Sequence, residues 1–400
     1  MPYVVVMSVS VILYKNMGIS NTDIALYTGW LYLPWVIKPI WSPVVDLLKT
    51  KRWWIMAMQL LVGAALGMVA LSLHLPSFFF FTLLFFWLMA FTSATHDIAA
   101  DGFYMLGLNA DTQAAFVGVR SLFYRLAMVF GQGAVVVAAG QLQQITGDVV
   151  FAWTVVFAVL ALLFGVFVIY HWWALPRLLS DGPVVDGAGW FSGFGRTFVS
   201  FFSKPGVGVA LAFFLLFRLG ESQLIKMASP FLLDGREVGG LALTTSQVGI
   251  VYGTVGVVCL ILGGILGGVA IYANGLKFWI WWMTLAINLP HLLYVAMAYL
   301  QPVNIVAIGT MVAIEQLGYG FGFTAFTMYM MQFAEGEHKT SHYAMATGFM
   351  ALGMMLPGMA SGWLQSLVGY KLFFVWVTLC AVPGFVVVRF LKINGTFGKK

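Results

Sequence analysis

Long apolar stretches dominate this sequence and restrict the folds that are open to it. A helix needs about 20 mostly apolar residues to cross a bilayer. Because unpaired backbone groups are not tolerated in lipid, such stretches form helices. The sequence therefore predicts an all-α polytopic membrane protein with twelve transmembrane helices, at Met1–Tyr14, Asp23–Leu48, Trp53–Leu73, Phe78–Leu106, Ala114–Leu142, Val149–Leu175, Val207–Leu233, Ser246–Tyr272, Phe278–Leu300, Val303–Phe333, His342–Leu367 and Leu372–Leu391.

Composition excludes several other classes. The chain is 61% hydrophobic and 8% charged, with a mean hydropathy of +0.94. Its net charge of +6 is spread over single residues, so nucleic-acid binding is not indicated. Cys259 and Cys380 lie in apolar segments, which favours packing over a disulfide or a metal site. We expect no metal and no cofactor, and no catalytic set of nucleophile, base and orienting group is evident.

The chain divides into two sets of six predicted helices. Residues 1–175 form one half, residues 176–204 a hydrophilic central loop, and residues 205–400 the other half. Similar residues recur 225 positions apart, which predicts two pseudo-symmetric halves. The same offset indicates that the first helix is truncated by about 20 residues upstream of Met1. The recurring pairs are Tyr27 with Tyr252, Tyr104 with Tyr329, and Gly133 with Gly358.

The distribution of Lys and Arg predicts the orientation. Basic residues gather in the loops on the side of the central loop, and only Lys15, Arg236 and Lys371 fall on the other side. Because positive loops stay in the cytoplasm, we expect both termini and the central loop to be cytoplasmic. The basic residues on that side are Lys49, Lys51, Arg52, Arg177, Arg196, Lys204, Lys277, Lys339, Lys392, Lys399 and Lys400.

Four charges are predicted to lie near the middle of the membrane. Counted at 1.5 Å per residue from the end of each helix, Arg125, Arg218, Glu221 and Glu315 fall at depths of about 16, 16, 21 and 18 Å. An ionisable residue in the membrane interior is costly and marks a functional site. These four residues therefore predict a substrate-binding or proton-coupling site between the halves.

The pairing of these four charges stays open at this stage. Arg218 and Glu221 are three residues apart on one helix face and can neutralise each other. Arg125 can bind substrate, or it can pair with Glu221 or Glu315 across the bundle. Glu315 has no neighbour of opposite sign on its own helix, so it is either a proton carrier or an interhelical hydrogen-bonding group.

A second group of charges is predicted nearer the cytoplasm. Asp97 and Asp101 are four residues apart on one helix face, which favours a titrating pair with Arg120 as the counter-charge. Two histidines, His96 and His291, also lie in apolar helices. A single histidine of this kind is more often a hydrogen-bonded packing residue than a ligand.

The loop after the second predicted helix resembles the acidic-then-basic loop of the major facilitator superfamily. In WSPVVDLLKTKRWW, Asp46 is followed by Lys49, Lys51 and Arg52. The match departs from the family pattern at Ser42, where the family has glycine, and the basic pair is displaced by one residue. The resemblance implies a gating role for Asp46, Arg52 and Asp101, with Asp101 as the partner of Arg52.

Further segments resemble the anhydromuropeptide permeases of the AmpG type. They are VIKPIWSPVVD, SATHDIAADGFY, SLFYRLAMVFG, LLFRLGESQ and AIEQLGYGFGFTAFTMYMMQF followed by TSHYAMATGF. The resemblance implies a proton-driven importer of N-acetylglucosaminyl-anhydromuramyl peptides in the bacterial inner membrane, and we expect a monomer. Other oligosaccharides, peptides, acyl-CoA or drug-like anions remain alternative substrates. A membrane enzyme or sensor is a further alternative, although no soluble output domain accompanies the helices.

Overall fold

The protein is described by a computed structural model that covers residues 1–108, 110–179, 181–182, 195, 198–336, 339–395 and 397–398. Within these ranges the regular structure is helical, as the sequence predicts. Arg196 lies outside the described residues, and so do the side chains of Asp46 and Arg120. The predicted roles of these three residues therefore receive no structural account.

The first half contains six helical crossings. Two of them are interrupted, since α2 has two segments and α5 contains a π-helical turn at Phe130–Ala134. The crossings are α1 (Pro2–Asn16), α2 (Asn21–Trp30 and Leu33–Leu47), α3 (Lys51–Ser72), α4 (Phe78–Gly107), α5 (Ala110–Val129 continuing to Val135–Thr146) and α6 (Val149–Ala174).

The second half also contains six crossings. Its last long helix, Lys339–Leu379, is broken at Gly369, where φ is 72° and ψ is 168°. The crossings are α7 (Val207–Leu216 and Leu219–Leu233), α8 (Thr245–Asn274, with a π-helical segment at Gly249–Gly256), α9 (Leu276–Asn288 and His291–Leu300), α10 (Ile305–Ala334), α11 (residues 339–368) and α12 (residues 370–379 and Ala381–Val388).

The described residues contain nine helices long and apolar enough to span a membrane. One of these, Ser341–Val388, is bent at Gly369 and makes two crossings. The shorter helix Pro2–Asn16 and the two-segment α2 add two more. The structure is therefore consistent with the twelve predicted crossings, and the chain is a multi-pass membrane protein.

The predicted helix bounds agree with the structure, but the breaks inside helices were not predicted. The break in α7 lies at Phe217 and Arg218, and Arg218 has a φ of −108° and a ψ of 23°. The break in α9 lies at Leu289 and Pro290, where proline cannot continue the hydrogen-bond ladder. Because a break redirects the following turn, it brings the nearby side chains toward other helices.

The face of the molecule that holds the helix ends Lys51, Ala174 and Val207 is called the central-loop face. The opposite face, with Asn16, Asn21 and Leu233, is called the distal face. The largest apolar core combines buried residues of both halves, including Leu13 and Val136 of the first and Leu224, Phe231 and Phe374 of the second. A second core, around Phe213 and Phe326, is built from the second half and from Phe201 of the central loop.

Glycines allow the helices of the two halves to touch near the distal face. A Cβ on Gly253 of α8 would lie 1.8 Å from the Gln132 carbonyl oxygen of α5, and one on Gly362 of α11 would lie 1.9 Å from the Asn21 carbonyl oxygen of α2. Backbone contacts this close exclude any side chain. The two halves are therefore tightly closed at these two positions.

Candidate substrate and proton-coupling site

A polar network joins the two halves at the distal face. Lys15 Nζ lies 2.5 Å from Asp234 Oδ1, and the Tyr370 hydroxyl donates to Asp234 Oδ2 at 2.6 Å. Asn21 Nδ2 donates to Asp234 Oδ2 at 3.1 Å and to Gln365 Oε1 at 2.8 Å. Lys15 and Asn21 belong to the first half, and the other three residues to the second. The network therefore seals this face in the present conformation.

Arg218 lies below this seal, at the break in α7. It is only 6% exposed, and its guanidinium donates a hydrogen bond to the Tyr319 hydroxyl on α10. The guanidinium carbon also lies 5.1 Å from the ring centroid of Tyr319 and 4.8 Å from that of Phe323. The cation is thus held against aromatic rings by cation–π contacts. Its Nε atom has no hydrogen-bond partner among the described residues.

Glu221 points away from Arg218 toward α9. Its Oε2 lies 3.0 Å from Nε2 of His291, and the two side chains are 1% and 0% exposed. Of the alternatives left open, the pairing of Arg218 with Glu221 is not formed in this conformation, because the break in α7 directs Arg218 to α10. The histidine is a hydrogen-bonding residue, as expected, and its partner is the carboxyl group of the site.

Glu315 completes a buried acidic cluster with Glu221 and His291. It is 0% exposed, accepts a hydrogen bond from Gln316 at 3.0 Å, and interacts electrostatically with Glu221. The second oxygen of each carboxyl group, His291 Nδ1 and the Tyr294 hydroxyl have no hydrogen-bond partner among the described residues. Four buried polar atoms thus lie unpaired within one region of the second half, although such atoms are costly to leave unpaired.

Arg125 lies at the interface of the halves, between α5 and α8. A Cβ on Gly264 of α8 would be 3.8 Å from one guanidinium nitrogen of Arg125. The side chain is half-buried, and no hydrogen bond or ion pair of it is found with the described residues. Neither pairing considered for it, with Glu221 or with Glu315, is formed, so its cation is available to a ligand.

A buried lysine was missed by the sequence reasoning. Lys226 of α7 is 5% exposed, and its Nζ donates to Thr28 Oγ1 of α2 at 2.9 Å. The same nitrogen lies 5.7 Å from the ring centroid of Tyr32. The sequence ESQLIKMASPF does place a lysine in the middle of an apolar helix. The lysine was not identified as a site residue because no acidic partner was evident nearby.

Asp97 lies on α4, next to α2. Its Oδ2 accepts a hydrogen bond from Trp35 Nε1 at 3.3 Å, and it interacts electrostatically with Lys38 and Asp101. The expected interaction of two acids on one helix face is therefore present. The role of Arg120 as their counter-charge stays a prediction, because its side chain is outside the described part of the chain.

The expected pairing of Arg52 with Asp101 is wrong in this conformation. Arg52 Nε donates to the Leu175 carbonyl oxygen at 3.0 Å and Nη2 to that of Trp172 at 2.5 Å. These carbonyls end α6, and the last carbonyls of a helix attract cations. Asp181, a loop residue given no role by the sequence, accepts from the backbone amides of Lys51 and Arg52 at 2.6 and 3.0 Å.

The architecture can now be compared with known proteins. No family model matches the chain. A crystal structure of a POT family transporter in complex with 5-aminolevulinic acid superposes with a TM-score of 0.71 at 14% identity, covering 97% of this chain and 93% of that one. The fold is that of the major facilitator superfamily, as expected. This neighbour is a transporter and not an enzyme, and the relatives described next are also named as transporters.

Several similar proteins are named for one type of transporter. The transporter AmpG 4 of Rickettsia conorii is 26% identical over 415 residues, which cover 98% of this chain and 94% of that protein. The anhydromuropeptide permease of Escherichia coli K12 is 22% identical over 422 residues, which cover 96% of this chain and 76% of that protein. This chain is therefore similar to AmpG-type transporters along nearly its whole length, as its quoted segments predict.

Proposed function

We propose that this protein is a proton-coupled importer of a cell-wall-derived glycan fragment, an anhydromuropeptide or anhydro-disaccharide, across the bacterial inner membrane. The observation that carries the proposal is the position of Arg218, a buried cation on two aromatic rings, beside an acidic cluster. Similarity to a protein named anhydromuropeptide permease supports the substrate class. We further propose that the protein acts as a monomer and that the central-loop face is cytoplasmic.

The binding step follows from the chemistry of the interface. A muramyl peptide carries carboxylates, which suit guanidinium groups. Arg218 and Arg125 approach the interface from the two halves and provide such groups. Tyr319 and Phe323 provide aromatic surface beside Arg218 for a sugar ring. A substrate bound in this way contacts both halves and couples its own binding to their relative movement.

The coupling step is assigned to Glu221, His291 and Glu315. A protonated carboxyl group is a donor, whereas an ionised one only accepts. A proton on one of these carboxyl groups therefore supplies a hydrogen-bond donor to buried carboxyl oxygens that have no partner. Such a proton also reduces the repulsion between the two acids. We assign the proton to the cluster as a whole, since interacting sites titrate together.

Alternating access then follows from the seal at the distal face. With Lys15 and Asp234 paired, the site is closed to that face. Separation of this pair and of the glycine contacts between the halves admits substrate and proton. Return to the present conformation releases both toward the central-loop face. Asp101 and Arg52 lie toward the central-loop face and are proposed to act in gating, and Asp97 is proposed as an alternative proton carrier.

Uptake by proteoliposomes tests this function. Labelled N-acetylglucosaminyl-anhydromuramyl peptide is supplied outside, with and without an inwardly directed proton gradient. We expect accumulation that requires the gradient and is abolished by a protonophore. Unlabelled oligosaccharides, peptides and acyl-CoA serve as competitors. No uptake of the fragment, together with uptake of one of these compounds, would assign a different substrate. Uptake that does not depend on the proton gradient would contradict proton coupling.

A further inference from the structure

Lys226 is a buried lysine whose described contacts are all neutral. It is 5% exposed, and Thr28 and the ring of Tyr32 are its polar and aromatic neighbours. Its Cε lies 3.9 Å from the position of a Cβ on Gly358 of α11. Within the described part of the chain no carboxylate lies within ion-pair distance of Nζ. A buried ammonium group without a counter-charge is strongly unfavourable, so an anion is the partner that this position lacks.

The Thr28 hydroxyl satisfies only part of the lysine's hydrogen-bonding capacity. An ammonium group has three N–H donors, and one of them is used by Thr28 Oγ1. The same hydroxyl donates to the Ile24 carbonyl oxygen at 2.6 Å, so its own proton is engaged elsewhere. A neutral oxygen of this kind holds the lysine in place but does not neutralise it.

Lys226 lies between the polar network at the distal face and the site around Arg218. It lies eight residues after Arg218, which is at the break in α7, and eight before Asp234, which follows the helix end at Leu233. Eight helical residues correspond to about 12 Å of rise. Tyr32 lies between the two cations, because it contacts Lys226 and interacts electrostatically with Arg218. Lys226 therefore occupies the level between the distal seal and Arg218.

The contact of Lys226 with Thr28 crosses from one half to the other. Thr28 belongs to α2, whose start is joined to the second half by Asn21. When the distal face opens, α2 and α7 separate, and the ammonium group loses its hydroxyl partner on the opposite half. At that moment the lysine faces the path by which substrate enters. An anion arriving there meets a cation with no competing carboxylate.

We propose that Lys226 is an anion-binding residue that selects acidic substrates as they enter from the distal face, before their carboxylate reaches Arg218. This inference rests on the proposed import function and adds a specificity determinant to it. The ligand group is a carboxylate on a glycan or peptide fragment. Substrates with two acidic groups can engage Lys226 and Arg218 together.

Equilibrium binding to the purified protein tests the proposal without requiring transport. Three acids are compared with their carboxamides: the anhydromuramyl peptide, a short peptide and N-acetylmuramic acid. For the wild type we expect at least one acid to bind more tightly than its amide. In Lys226→Met we expect that preference to fall about tenfold or more, while Lys226→Arg retains most of it. A tenfold change corresponds to about 1.4 kcal/mol.

Two controls separate anion binding from a structural role. Lys371→Met removes another lysine that lies over a tyrosine ring, at 5.4 Å from Tyr299, but on the exposed surface. Thr28→Val removes the hydroxyl that holds Lys226 and leaves the cation. Both should keep the preference for acids. If Thr28→Val reproduces Lys226→Met, the lysine serves as a contact between the halves, and the proposal is wrong.

The remaining outcomes distinguish this inference from the proposed function. A wild-type protein that never prefers an acid to its amide overturns the inference, whatever it transports. Equal loss of acid and amide binding in Lys226→Met also overturns it. A preference for acids that depends on Lys226, in a protein that imports no anhydromuropeptide, supports the inference and rejects only the proposed substrate.

Discussion

Lys15 and Asp234, 219 positions apart in the sequence, form an ion pair at 2.5 Å that joins the two halves at the distal face. The pair also lines a cavity of about 390 Å³ together with Gln143, Leu243 and Thr245. Both side chains are largely shielded, at 16% and 13% exposure. Solvent screens such a pair less than an exposed one, so the pair contributes more to closing this face than an exposed pair would.

Lys15→Ala should therefore favour opening of the distal face. The measurement is the alkylation rate of Leu243→Cys, with Cys259 and Cys380 replaced by alanine. Leu243 is only 8% exposed when the face is closed, so we expect labelling to accelerate several-fold. Asp148→Asn, at the start of α6 outside this network, should leave the rate unchanged. An unaltered rate in Lys15→Ala would show that the glycine contacts alone keep the face closed.

Gly253→Ala should disturb this same closure by a steric route. The added Cβ would lie 1.8 Å from a backbone oxygen of α5, so the two helices would have to separate. We expect a lower melting temperature and greatly reduced uptake. Gly268→Ala, on the same helix with nothing within 4 Å of its Cβ, is the matched control and should behave as wild type. Similar melting temperatures for both variants would contradict the close approach of α5 and α8.

His291→Phe should destabilise the protein by leaving Glu221 buried without its partner. Removing one member of a buried pair costs about 3–5 kcal/mol. Thermal unfolding in detergent measures the loss, and Glu221→Gln combined with His291→Phe provides the comparison. We expect the double variant to be more stable than His291→Phe alone, because it contains no unpaired charge. Equal stability of the two would indicate that Glu221 is protonated in the resting state.

Glu315→Gln should abolish the dependence of substrate accumulation on the proton gradient. The amide keeps the size of the side chain but cannot release a proton. We expect substrate binding within a few-fold of wild type and loss of the gradient-dependent accumulation. Glu335→Gln, at the exposed end of the same helix, should retain both. If Glu315→Gln still responds to the gradient, the coupling proton belongs to Glu221 or Asp97, and the same substitution at those residues decides between them.

Arg125→Ala should abolish uptake without reducing expression. The guanidinium makes no described contact that supports the fold, so its removal is not expected to lower the melting temperature by more than a degree or two. Arg125→Lys should recover part of the activity, because the charge is kept while bidentate binding is lost. Arg389→Ala, an exposed arginine at the end of α12, is the control. Normal uptake by Arg125→Ala would exclude this residue from the site.

The sequence by itself determined the helices and predicted a depth for each charge. The lengths of the apolar stretches predict the membrane crossings, since few structures other than a helix can span a bilayer. A rise of 1.5 Å per residue places Arg125, Arg218, Glu221 and Glu315 near mid-membrane. The resemblance to AmpG-type segments then indicated a transporter, and the relatives agree. The internal repeat and the orientation remain predictions.

Only the tertiary structure decided which partner each charge has. Arg218 and Glu221 were neighbours on a regular helix, yet the break in α7 directs one to Tyr319 and the other to His291. Lys226 has its hydroxyl partner 198 positions away, on the other half. Helical periodicity gives the face of a side chain on its own helix. It does not give the helix that packs against that face, which depends on contacts between segments distant in sequence.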